Sequence, residues 1–205
     1  MPGARIIHID QPRTTKQQLF AAVGRLLAAK GFRNIAIEDI VFESGVDRAV
    51  IFRAFGGLEG LVAAFGRSEG FWPDSGELLP KGPEELQGME PKEQIGLCFK
   101  RLLKALLRRP QTLDILAWEV LERTPLSRRL EEVRVRTSLE FFEHLQGDIP
   151  DDVDLSAVVL VLAAAVMHLA ISSRVRRTLG GVDLQSGEGW QRIDEAIDLL
   201  VSGIF

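Results

Sequence analysis

The sequence contains no tyrosine, a single cysteine (Cys98) and only three histidines. One cysteine permits no intrachain disulfide, and one Cys with three His makes a poor zinc cluster. The usage fits a reducing compartment, so a cytoplasmic chain without metal or cofactor is expected. Residues 1–11 are broken by Arg5, His8 and Asp10 and lack the apolar run of a secretory signal. Catalytic signatures are missing too: there is no G-x-S-x-G elbow, no H-E-x-x-H and no phosphate-binding glycine loop. His168 and Ser172 stand at i and i+4, but the surrounding run offers no orienting carboxylate. Glu140 and His144 share a helix face, a spacing common by chance and more consistent with a surface pair than with two metal ligands. These absences argue against an enzyme, and no catalytic residue is assigned.

Long hydrophobic runs are scarce. The longest uncharged stretch, 155–173, is just long enough to cross a membrane, yet it holds Ser156, His168, Ser172 and Ser173. It reads as a buried helix, and no membrane association is expected. A strong basic surplus is also missing, since the net charge is −4. That total hides an asymmetry. Residues 1–67 hold nine Lys/Arg against six Asp/Glu, giving +3, and residues 68–205 hold sixteen against twenty-three, giving −7. A mildly basic front on an acidic body suggests two tasks, although +3 alone is weak evidence for nucleic acid.

What is present is a globular chain of 205 residues, 46% hydrophobic, long enough for a substantial core. Apolar spacing predicts an all-α fold of about nine helices. After a loose arm (1–13), helices are expected at about 15–30, 37–44, 48–54 and 58–71. Thr and Asp47 cap the first and third, Gly31 and Gly45 punctuate the turns, and Pro73 closes the fourth. A Pro/Gly-rich stretch, 73–91, reads as a long loop. Five more helices are expected at about 91–108, 111–122, 126–146, 154–178 and 188–203, with Gly180-Gly181 ending the fourth of these. The divisions that follow are an arm and a module of short helices over 1–57, a connecting helix over 58–72 and a larger helical domain over 73–205.

The most informative stretch is 37–55. Two short helices around Gly45 form a helix-turn-helix pattern, although a plain helical hairpin would read alike. Its residues carry a resemblance. Gly31-Phe32, Glu38-Asp39-Ile40, Gly45-Val46, Ile51-Phe52-Arg53-Ala54-Phe55 and Glu59-Gly60-Leu61 are similar to the TetR family of bacterial transcriptional regulators, over about Thr14 to Phe65. The resemblance implies an Ω-shaped helical homodimer that controls transcription, usually by repression, with a divergent C-terminal domain that binds a small effector or a partner. It also implies contact with a palindromic double-stranded operator through Arg13, Lys16, Arg33, Asn34, Arg48, Ala49, Val50, Phe52 and Arg53. Arg48 is the best guanine reader, because its fork matches O6 and N7. Ile40, Val46, Ile51 and Phe55 read as the module's core, and Phe42 stands where a polar residue is expected.

The sequence departs from the family pattern at Ala36, Asp47, Val50, Phe52 and Leu58. Ala, Val, Phe and Leu have no donor for a phosphate, and Asp47 adds a negative charge. The alternative is therefore a ligand- or protein-binding dimer of this fold whose DNA binding has weakened. A small helical enzyme or a peripheral membrane protein using 155–173 stands third. In the larger domain, Phe99, Leu102, Leu106, Trp118, Leu121 and Phe141 could line an apolar cavity, with Glu119, His144 and His168 as polar anchors. A filled core would give the same periodicity. Leu155, Val158, Val159, Leu162, Val166 and Leu169, with Ile193, Ile197 and Leu200 on the last helix, are the candidates for a twofold interface built as a four-helix bundle.

Overall fold

The computed structural model describes residues 14–79, 88–145, 147 and 149–203, and the side chain of His144 lies outside that set. Among the described residues the chain forms ten helices and one small hairpin. The helices are α1 (Thr15–Lys30), α2 (Ile37–Ser44), α3 (Arg48–Phe55), α4 (Leu58–Gly66), α5 (Ser75–Leu78), α6 (Pro91–Leu107), α7 (Pro110–Leu121), α8 (Pro125–His144), α9 (Leu155–Ser172) and α10 (Gly187–Ser202). The fold is all-α, as expected.

The first three helices start and stop at their punctuation. The Thr14 hydroxyl accepts from Gln17 N–H, and the Gln17 amide oxygen accepts from Thr14 N–H. Asp47 caps α3 by accepting from Ala49 N–H at 2.6 Å. Ala36 supplies no side-chain cap to α2, but Asp39 accepts from the Ala36 N–H at 2.8 Å and is itself paired with Lys30. Gly45 sits at φ 70°, so α2 can turn sharply into α3. Ile40 and Ile51 are fully buried where these two helices meet α1 and α4.

Two expectations are corrected. Helix α4 stops at Gly66, five residues short, and not at Pro73. The chain then curls so that Phe71 is fully buried 5.2 Å from the Phe65 ring, while the Phe71 carbonyl accepts from the Thr112 hydroxyl. Burying Phe71 and Trp72 outweighs continuing the helix. Helix α9 likewise ends at Ser172. The segment assigned to its last turns runs through turns over 173–177 and into a hairpin, with β1 (Thr178–Leu179) pairing antiparallel to β2 (Val182–Asp183). Gly180 and Gly181, at φ 57° and 79°, form the two-residue turn, the positive-φ pair that such tight hairpins need. The proline-rich stretch contributes a short helix, α5, capped by Asp74.

One continuous core runs from Leu19 to Val201. The module is fastened to the body by two seams. Helix α1 packs on α7, and α4 packs on α8. Gly66 lets α4 approach closely, since a Cβ there would stand 2.7 Å from Leu130. At the other seam Trp118 Nε1–H donates to the Ala28 carbonyl at 2.9 Å. The buried Glu122 carboxylate accepts from the Phe32 and Arg33 N–H groups at 2.6 and 3.1 Å. Farther back, Arg174, just past α9, forks onto Asp114 of α7 at 3.0 and 3.1 Å.

The expectation that 155–173 is buried is also corrected. Helix α9 has a mean hydropathy of 2.4, yet only 22% of it is buried within the chain. Its inner line of Leu162, Val166 and Ala170 packs on α6 and α7. Its outer stripe of Ala157, Leu160, Val161, Ala164 and His168 is exposed. It is the one single helix among the described residues that is long and apolar enough to cross a membrane.

Candidate functional site

Helix α3 is rooted by Ile51 and by half-buried Val50, and it presents Arg48, Ala49, Phe52 and Arg53 along its exposed side. Val50 packs partly on the core and keeps part of its side chain exposed beside that surface. Lys16, Arg33 and Asn34 are exposed nearby in sequence, and Arg13 lies outside the described residues. The Lys16 ammonium stands 5.3 Å from the Phe20 ring centre.

The charge on this surface is partly spent. Arg48 donates to Glu38 of α2 at 2.7 Å and lies over the Phe52 ring at 5.3 Å. Arg25 pairs with Glu43 and Lys30 with Asp39. Such exposed pairs are worth under about 1 kcal/mol, so a phosphate or guanine can exchange for Glu38 cheaply. Phe42 is 91% exposed and Phe52 is exposed as well, so the module offers aromatic surface where polar groups were expected.

The second site is a cavity in the body. It has a volume of about 110 Å³, and Phe99, Leu102 and Phe141 from the expected set line it. Leu78, Cys98, Val159, Ala163 and Met167 complete most of its apolar wall. The other expected lining residues lie elsewhere. Leu106 is fully buried in the core, Leu121 is exposed, and Trp118 is turned onto α1. His168 is on the exposed stripe of α9, 3.4 Å from the Ser172 hydroxyl. The His144 side chain is outside the described set. Glu119 does not line the cavity, but it holds a residue that does. Arg134 of α8 donates to Glu119 at 2.6 Å and stacks over Trp72 with its guanidinium 5.6 Å from the ring centre. Burial pushes the Glu119 carboxyl above its ordinary range, against the pull of Arg134. Sequence reasoning missed Arg134 and Trp72.

A larger open cleft of about 470 Å³ lies beside the cavity and shares Trp72 and Thr137 with it. Cys98 faces the cavity, and burial pushes its thiol up to about 12 from 9.0. Thiolate is the reactive form. Cys98 should therefore label with iodoacetamide at pH 8 about a thousandfold more slowly than a free thiol, on the arithmetic of three pKa units. Mass spectrometry against a urea-unfolded sample checks this, and equal rates would contradict the buried placement.

The candidates for the twofold interface divide the same way. Leu162, Val166, Ile193 and Ile197 are buried within their own chain, which corrects their assignment to a subunit surface. Leu155, Val158, Val159 and Leu169 are half-buried, and Leu200 is exposed. The stripe at Leu160 and Val161, with Leu199 of α10, is the exposed apolar surface that the sequence reading passed over.

Residues 19–65 match the family of bacterial regulatory proteins called the tetR family. No curated protein matches the chain. Solved structures match nearly end to end. One assigned to the TetR-family transcriptional regulators from Syntrophomonas wolfei str. Goettingen has a TM-score of 0.68 at 14% identity, covering 93% of this chain and 96% of that one. GusR from Salmonella enterica gives 0.64 at 16%, with 96% and 97% covered. The fatty acid degradation regulator FadR from Bacillus halodurans gives 0.63 at 13%, with 92% and 98% covered. The fold is thus that of the TetR-type transcriptional regulators, with an N-terminal helix-turn-helix on a helical body. The resemblance read from residues 14–65 is borne out over the matched residues 19–65, which cover most of α1 and all of α2 to α4 up to Phe65.

Proposed function

We propose that the protein is a ligand-responsive transcriptional repressor that acts as a homodimer on a palindromic operator. The observation that carries this reading is the exposed side of α3. Arg48, Ala49, Phe52 and Arg53 are presented together on a helix rooted by Ile51, within a module of the tetR type. A second helix of this kind reads base edges in the major groove while its partner helix crosses the backbone. The outer stripe of α9 and the exposed end of α10 supply the apolar surface for a twofold mate, which sets the spacing of two such modules.

Selection from random-sequence DNA, at low and then moderate salt, tests the reading. A palindromic site is expected. Arg48→Ala should weaken that site by about tenfold, within the 1–3 kcal/mol of one bidentate base contact. Arg53→Ala should instead lower the salt dependence by about one ion, as a lost phosphate contact does. The loss of polar groups at Ala36, Val50, Phe52 and Leu58 favours a second reading, a dimer of this fold with weakened DNA binding. A folded dimer that enriches no site at low salt would establish that reading and discard the first.

A further inference from the structure

Four buried polar side-chain atoms have no hydrogen-bond partner among the described residues, and three of them meet at one place: Trp72 Nε1, Arg134 Nη1 and Glu119 Oε2. Buried polar groups are nearly always paired, so such a cluster needs an explanation. Two of the three belong to residues of the cavity wall, Trp72 and Arg134, whose guanidinium lies 5.6 Å from the Trp72 ring centre, and both donor atoms are themselves closed to water. The rest of the wall is apolar, with Phe99, Leu102, Phe141 and Met167 from three helices. Apolar walls with a few convergent polar groups are the usual composition of a small-molecule site. A cation is disfavoured, because Arg134 lines the space and Glu119 does not.

We propose that this cavity binds a small carboxylate, whose anionic end takes the free donors of Arg134 and Trp72 and whose apolar body lies against Phe99, Leu102, Phe141 and Met167. This deepens the ligand-responsive reading above and rests on it only for the link to DNA. The cavity of about 110 Å³ is somewhat smaller than the roughly 150 Å³ space that takes up benzene, so the body is short. The neighbouring cleft, which shares Trp72 and Thr137 with the cavity, is the entrance.

The pair with Glu119 gives the site a consequence. A bound carboxylate brings a second negative charge to a guanidinium that already holds one, in a place where burial disfavours ionised Glu119. Glu119 and the ligand then compete for one guanidinium. Glu119 lies on α7 next to Trp118 and three residues before Glu122, the two side chains that grip the module. A ligand that binds better with Glu119 displaced therefore favours a different seating of α7, which is the differential affinity that coupling requires.

Titration calorimetry of the full chain with butyrate and isobutyrate, each against its neutral amide, tests the site without DNA. The carboxylates should bind at least tenfold more tightly than the amides. Arg134→Met should erase that preference, and Trp72→Phe, which keeps a ring and loses the donor, should weaken the carboxylates about tenfold. Glu119→Gln removes the competitor and should tighten them about tenfold, a gain that a damaged fold would not produce. Equal affinity for acid and amide overturns the proposal, as does no binding of either carboxylate into the millimolar range. Repeating the titration with a selected operator separates the two readings. Carboxylate binding with no recoverable operator keeps the site and discards the regulator. An operator whose affinity ignores a bound carboxylate discards the coupling through Glu119.

Discussion

Leu160→Glu is expected to leave a folded monomer. Leu160 is 69% exposed in the single chain, so the substitution costs the protomer little. In a twofold interface the same carboxylate would be buried opposite its own copy, beside Val161 and Ala164. Burying an unpaired charge costs several kcal/mol, and the twofold axis imposes that cost twice. The dimer should weaken by at least a thousandfold, while Leu160→Ala should remain dimeric at micromolar concentration. Sedimentation equilibrium reads the mass, and circular dichroism reads the fold. Affinity for a palindromic site should fall by roughly a hundredfold, because the avidity of two linked modules is lost. A dimer of unchanged strength in Leu160→Glu would remove the α9 stripe from the interface.

The second large effect is expected at Glu122. Its buried carboxylate satisfies the N–H groups of Phe32 and Arg33, which follow the end of α1. Gly31 gives it room, since a Cβ there would come within 2.8 Å of the carboxylate oxygen. Glu122→Ala leaves the buried Phe32 N–H without an acceptor and removes two charge-assisted bonds. The expected loss is about 2–4 kcal/mol. For a chain of this size, that lowers the melting temperature by roughly 5–15 °C. Glu122→Gln keeps one acceptor oxygen and should lose less than half as much. Thermal unfolding followed by tryptophan fluorescence measures both, and an unshifted Glu122→Ala would mean that water replaces the carboxylate without cost.

The module was legible in the sequence because its boundaries are chemical punctuation. Thr14, Gly31, Gly45 and Asp47 act locally, and each stands where the chain starts or stops a helix. The end of α4 was not legible, because Pro73 is visible in the sequence and the burial of Phe71 is not. The hairpin after α9 was missed for a related reason. Its strands are two residues long, too short for any alternation to register. Helix α9 posed a different difficulty. It is apolar around most of its circumference, so no polar face fixes its rotation, and Leu162 could not be told from Leu160. Arg134 was hidden by company. Helix α8 carries Arg128, Arg129, Arg134 and Arg136, and only the fold selects which one turns inward.

Helix α7 can be considered as a rigid rod. Its twelve residues span about 18 Å. It is tied to Arg134 through Glu119, to α1 through Trp118, to the turn after α1 through Glu122, and to the end of α9 through Asp114. Tilting such a rod by about 5° about one end displaces the other by roughly 1.6 Å. Bonds of 2.6 to 3.1 Å do not survive that stretch. The rod therefore has almost no angular tolerance. The module must move with it as one piece or let go, so this joint behaves as a latch with two positions and not as a graded spring.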